Sequence, residues 1–204
     1  HPAEFFAASM SFDMAQTDKV ALFAEDIRRS GAELLPPDVN ASRADFSVEE
    51  GKVRYALGAL KGVGEKAMEA LVEEREANGL FKSLDDFAER IDPRLLNRRQ
   101  IESLAAAGAF DSLAGERAAV FAAAETILAH AASAAEQRTS GQLGPCGGGA
   151  SAGVPPIRLP REAQWTLAHR MAAERDPFGF YFSAHPVDHH KHLLAAHRVR
   201  RFAE

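Results

Sequence analysis

Leu57-Gly58-Ala59-Leu60-Lys61-Gly62-Val63-Gly64-Glu65-Lys66-Ala67, running on into Leu71-Val72-Glu73-Glu74-Arg75, is the stretch that decides how this chain folds. Two glycines flank one apolar residue at the mouth of a helix. Gly62 and Gly64 can take backbone angles closed to other residues and let another backbone come close. Val63 is expected to face inward and pin the turn to the core. The peptide N–H groups of the turn and of the first helical turn then point outward without a partner. Together with the helix dipole they suit an anionic oxygen, and a nucleic-acid phosphate is the natural ligand at a surface turn. Lys61 and Lys66 stand beside it and add positive charge. A plain corner between two helices fits the same residues. Local charge does not separate the two readings, since residues 52–99 hold ten Lys or Arg against nine Asp or Glu.

A weaker copy follows. Leu95-Leu96-Asn97-Arg98-Arg99-Gln100-Ile101-Glu102-Ser103-Leu104 has the spacing of an amphipathic helix and ends at Ala107-Gly108-Ala109-Phe110-Asp111-Ser112-Leu113. Gly108 alone remains of the glycine pair. Its turn is read either as a second phosphate contact or as core built on Phe110 and Leu113. Arg94, Arg98 and Arg99 form a basic cluster, suited to backbone phosphates or to a solvated helix face.

Outward from these hairpins the pattern is mainly α. Residues 1–34 read as two helices, the second over residues 17–30 with Thr17 as N-cap and Gly31 as stop. Residues 35–57 read as extended chain after Pro36-Pro37, then a β-hairpin of residues 45–48 and 52–57 around Glu49-Glu50-Gly51. Residues 58–135 read as a tandem helix-hairpin-helix module, its last part (residues 118–135) a long alanine-rich helix. Residues 136–162 are glycine- and proline-rich and read as a linker. Residues 163–204 read as connector helices at 161–174 and 185–196, with an aromatic turn at 177–182. Trp165 and the aromatic run are read as packing residues.

Composition narrows the function classes. The chain has 204 residues, a net charge of −5 and 46% hydrophobic residues. It is no sequence-blind charge sponge, so any nucleic-acid contact must be local. Cys146 is the single cysteine, which excludes an internal disulfide and suits a reducing compartment. No apolar run is long enough for a bilayer, so no membrane partner is expected. The chain opens on His1-Pro2-Ala3, and a piece of a longer protein is expected.

Ordered blocks identify a family. His1-Pro2-Ala3-Glu4-Phe5, Gln16-Thr17-Asp18-Lys19, Leu35-Pro36-Pro37-Asp38-Val39-Asn40 and Leu60-Lys61-Gly62-Val63-Gly64 come first. Phe81-Lys82-Ser83-Leu84-Asp85-Asp86-Phe87, Ala107-Gly108-Ala109-Phe110-Asp111 and Gly179-Phe180-Tyr181-Phe182-Ser183-Ala184-His185-Pro186 follow. Together they resemble the bacterial C-family replicative polymerases, the alpha-subunit family of polymerase III, over essentially the whole chain. The resemblance implies that residues 1–34 end the fingers region and that residues 58–135 hold duplex primer-template DNA through its backbone. It implies that the last segment leads toward an OB-fold domain. It also implies a cytoplasmic bacterial protein working with other holoenzyme subunits.

The resemblance places polymerase chemistry, with its magnesium ions and carboxylates, in a palm upstream of residue 1. No catalytic residue, metal site or cofactor is expected within this chain, and the expected DNA contacts are Lys61, Gly62, Val63, Gly64, Lys66, Arg94, Arg98, Arg99 and Gly108. Family members often carry a sliding-clamp motif in the linker. Here Gln142 and Leu143 fit its start, but Pro145 and Cys146 stand where hydrophobic anchors belong. His185, His189, His190, His192 and His197 have helix-face spacings without nearby cysteines, and a solvated connector is preferred to zinc. Two rival readings stay open: a scaffold that places the clamp and neighbouring domains, and the error-prone paralogue of the same subunit.

Overall fold

The structure is a computed structural model that describes residues 1–140 and 155–183, without the side chain of Ser140. Helices dominate, with one small sheet. The order is α1 (Pro2–Phe12), α2 (Thr17–Ser30), β1 (Leu34–Leu35), β2 (Ser47–Glu49), β3 (Lys52–Arg54), α3 (Glu65–Asn78) and α4 (Leu84–Arg90). Then come α5 (Arg98–Ala107), α6 (Arg117–Ala122), α7 (Ala124–Ser140) and α8 (Leu167–Phe178). The mainly α class is therefore the observed one.

Local chemistry explains most of the borders. Pro2 opens α1, where its missing N–H costs nothing, and Ala3, Ala7 and Met10 form the buried stripe. Val20, Ala24 and Ile27 are the buried face of α2, and Gly31 ends it at φ 76°. The N-cap of α2 is Gln16; Thr17, expected there, is already the first helical residue. Ser83 caps α4 by accepting from the Asp86 amide at 3.1 Å, a contact worth about 1 kcal/mol. The long helix expected over residues 118–135 is interrupted at Ala123, which separates α6 from α7.

The β-hairpin forms, and its strands are shorter than expected. A third strand joins it. β1 runs parallel to β3 with Leu34 opposite Val53, while β2 is antiparallel to β3, giving the order β1-β3-β2. A two-residue strand carries almost no periodicity, so its pairing is visible only in space. The sheet rests on α1, and Phe46 packs edge-on against Tyr55 at 4.9 Å.

Residues read as linker and connector pack onto the rest of the fold, the aromatic ones as expected. Ile157 donates its amide to Asp85 at 2.6 Å, and Ile157 and Leu159 lie against the core. α8 starts at Leu167 rather than at residue 161, because Thr166 caps it through the His169 amide, and it continues to Phe178. Phe178 and Phe182 then stack at 4.6 Å and both meet Tyr55 edge-on. Phe178 is fully buried, which contributes roughly 1.5–3 kcal/mol. Trp165 packs on Phe121 at 5.4 Å. The expected helix at 185–196, the histidine cluster and the clamp-like Gln142 and Leu143 lie outside the described residues.

Two arginines, Arg75 buried and Arg90 half-buried, tie loops to this frame. Arg75, on α3, donates to the carbonyls of Val39 and Ser42 at 2.9 and 2.6 Å and pins the loop before β2. Burial shifts its pKa downward, yet an arginine stays charged. Arg90 bonds Glu74, Asp86 and the Gly79 carbonyl and lies over the Phe81 ring at 4.4 Å, fixing the α3–α4 connection.

Candidate nucleic-acid interface

The first hairpin departs from two regular helices. Residues 57–63 make consecutive turns, and α3 begins at Glu65. Gly62 and Gly64 sit at φ 82° and 77°, so the positive angles expected of them are required by the turn. Val63 between them is fully buried, while Lys61, Gly62, Gly64, Glu65 and Lys66 are exposed. The turn is therefore a surface feature held by one apolar peg.

Its amides divide into two sets. The Lys61 amide donates to the Pro177 carbonyl at 2.8 Å, and the Val63 amide reaches Leu60 weakly at 3.5 Å. Among the described residues, nothing accepts from the amides of Gly62, Gly64, Glu65 or Lys66, and no side chain caps α3. These four donors lie within five residues at the positive end of a 14-residue helix. That is the chemistry of an anion cradle.

Charge around the turn is uneven. Lys61, Lys66 and Arg99 are exposed and make no ion pair among the described residues. Arg99 comes from α5, yet a side chain on Gly62 would meet its Nε at 3.7 Å and the Ser103 Oγ at 3.6 Å. The fold thus carries one arginine of the second hairpin to the turn of the first. The other two arginines of the sequence cluster are engaged elsewhere. Arg94 is held by Asp92, whose own carboxyl the Arg94 hydrogen bonds push down to about 2. Arg98 lies between Glu102 at 2.6 Å and Glu125 at 2.5 Å, and these bonds raise its pKa. Arg94, Arg98 and Arg99 are therefore not one patch of free charge.

The second hairpin is closed. Gly108 does take a left-handed angle, φ 84°, as the C-cap of α5, but it is buried and its amide donates to Ala105 at 3.0 Å. The Arg117 guanidinium covers it, so a Cβ there would fall 2.2 Å from a guanidinium nitrogen. Arg117 in turn pairs with Asp111 at 2.6 Å and faces the buried Glu174 of α8 at 3.5 Å. The expectation that Gly108 offers a phosphate contact is corrected here: its donor is used and its approach is blocked.

Gln100 is a residue the motif reading passed over. It is 8% exposed and belongs to a capping box: Asn97 accepts from the Gln100 amide at 3.1 Å, and Gln100 Oε1 accepts from the Asn97 amide at 2.6 Å. The same side chain donates through Nε2 to the Val63 carbonyl. The spacing Asn97-Arg98-Arg99-Gln100 is a legible capping-box signal, but its reach to Val63 is not.

Among the described residues no group of three or more His, Cys, Asp or Glu side chains could hold a metal ion, and no helix is long and apolar enough to cross a membrane. An open cleft between β2 and α3, about 920 Å³, has Glu69, Glu73 and Glu76 on its wall and does not adjoin the glycine turn.

Comparison with known proteins agrees with this architecture. Residues 31–120 match the family model of the helix-hairpin-helix motif. The chain is 46% identical over 203 residues to a DNA polymerase III subunit alpha of Caulobacter vibrioides, covering all of this chain and 18% of that protein. Its identity is 39% over 187 residues to the Neisseria meningitidis protein of the same name, covering 91% and 16%. To that of Thermus aquaticus it is 41% over 189 residues, covering 92% and 15%. The chain spans less than a fifth of the length of these relatives. From end to end it is similar to one segment of them.

Proposed function

We propose that this chain, similar throughout to a single segment of DNA polymerase III alpha subunits, serves in a replicative polymerase as a sequence-independent grip on the duplex backbone. One observation carries the proposal: the exposed Gly62–Gly64 turn offers four amides that find no acceptor among the described residues, beside three cations that find no carboxylate partner among them. Amides and lysines at a phosphate fix the position of a duplex and read no bases. This explains how a chain of net charge −5 can hold DNA, because the donors are concentrated at one turn. Magnesium-dependent nucleotidyl transfer would belong to other parts of such a polymerase, and the companion subunits of a holoenzyme would be its partners.

The test is fluorescence anisotropy of labelled duplexes of two unrelated sequences across a salt series, with the full-length protein. The logarithm of the binding constant should fall linearly with the logarithm of salt, with a slope of roughly −0.9 per phosphate held. Gly62→Val combined with Gly64→Val forces β-branched side chains into positive φ at the cradle. The double variant should weaken both duplexes alike, by about tenfold, equivalent to roughly 1.4 kcal/mol. Binding equal to the parent at low salt would remove this turn from the interface.

A further inference from the structure

We propose that Gln100 is a positioning residue for the glycine turn, and that the second hairpin acts as the support of the first rather than as a second grip. This rests on the phosphate-binding reading of the turn. The observation behind it is the double use of one side-chain amide. Gln100 Oε1 accepts from the Asn97 amide and closes the N-terminus of α5. Gln100 Nε2 donates to the carbonyl of Val63, the residue between Gly62 and Gly64. Among the described residues no other donor reaches that carbonyl.

The peptide plane between Val63 and Gly64 links this carbonyl to the Gly64 amide, and the two point in opposite directions because the peptide is trans. A donor that holds the carbonyl inward therefore aims the Gly64 amide outward. A buried carbonyl without a partner would instead rotate toward one, and the glycines on either side give it the freedom to do so. The closeness of the support is visible in space: a side chain on Gly64 would meet Gln100 Nε2 at 3.3 Å. The closed state of the second turn fits the same division of labour. Its glycine is covered by Arg117, while the start of its first helix supplies both Gln100 and Arg99 to the first turn.

Cap and support can be separated by substitution. Asn97→Ala removes the side chain that caps α5 but leaves Gln100 Nε2. Gln100→Met removes the donor at similar length without adding charge. Gln100→Glu keeps the acceptor for the Asn97 amide and turns an oxygen toward the Val63 carbonyl. Two readouts are taken on the full-length protein: hydrogen exchange by mass spectrometry in the peptide covering residues 61–72, where the Met68 amide is held by the Gly64 carbonyl, and duplex affinity by anisotropy. Both Gln100 variants should speed exchange in that peptide and weaken duplex binding by about fivefold, close to 1 kcal/mol. Asn97→Ala should leave both within about twofold while lowering thermal stability. Unchanged exchange in Gln100→Met and Gln100→Glu would overturn the positioning role. Faster exchange with unaltered affinity would overturn the phosphate-binding reading beneath it, and the proposal with it. Equal loss of affinity in Asn97→Ala would show that α5 capping alone is responsible, which also overturns it.

Discussion

At the scale of single residues, what distinguishes the cations of this chain is whether a carboxylate already answers them. Among the described residues Lys61, Lys66 and Arg99 meet no carboxylate, whereas Arg94 and Arg98 are held by Asp92, Glu102 and Glu125. A cation that replaces counterions at a phosphate contributes to the salt dependence of binding, and one that must first leave an ion pair contributes less. Lys61→Ala, Lys66→Ala and Arg99→Ala should each flatten the log–log salt slope by up to about 0.9. Arg94→Ala and Arg98→Ala should leave it near the parent value. Anisotropy titrations at several salt concentrations decide the matter, and equal slopes across all five variants would deny the distinction. The sequence shows these five side chains as equals. Only their neighbours in space sort them.

At the scale of elements, the β2–β3 hairpin is the clearest case of a local rule met imperfectly. Its two central residues, Glu50 and Gly51, have φ 51° and 78°, the pattern of a turn with both central angles positive. Gly51 accepts this freely. Glu50 does so at a cost, because its Cβ crowds the backbone there, and asparagine tolerates that region better. Glu50→Asn should stabilise the fold by about 0.5 kcal/mol, read as a rise in the thermal midpoint without change in DNA affinity. A lower midpoint would mean that the glutamate does something the turn geometry does not reveal. The hairpin was legible in the alternation of residues 45–57, and the helix borders at Gly31 and Gly108 were legible from their glycines. β1 was not, since two residues have no period of their own and are a strand only because Val53 and Arg54 pass beside them.

At the scale of the whole molecule, the segment after residue 155 closes the fold around Tyr55. Its ring is buried among Phe46, Phe178 and Phe182, which come from segments far apart in the chain. Burial pushes its phenol pKa well above the ordinary tyrosine range. The unfolded chain releases this proton near pH 10, roughly the free phenol value, while the folded chain keeps it. Stability tied to the neutral ring is therefore complete below that pH and is lost as pH climbs above it. In a Tyr181→Phe background, phenolate absorbance from Tyr55 should appear together with loss of helical circular dichroism. Tyr55→Phe in the same background should move alkaline unfolding to higher pH. A phenolate signal rising while the helices stay intact would show that the ring is open to solvent.

The amino-acid sequence by itself determined the helical class, the glycine turn with its buried valine, and the lysines at its edge. Each of these depends on residues within a few positions of one another, where backbone angles and side-chain spacing act directly. The tertiary structure alone decided which cations lack a carboxylate partner among the described residues, that Arg117 shuts the second turn, that Gln100 holds the first, and that α8 returns so that its Pro177 carbonyl accepts from the Lys61 amide. Those outcomes join partners 37 to 116 positions apart or depend on which partner wins a shared side chain. No local pattern encodes that competition; packing resolves it.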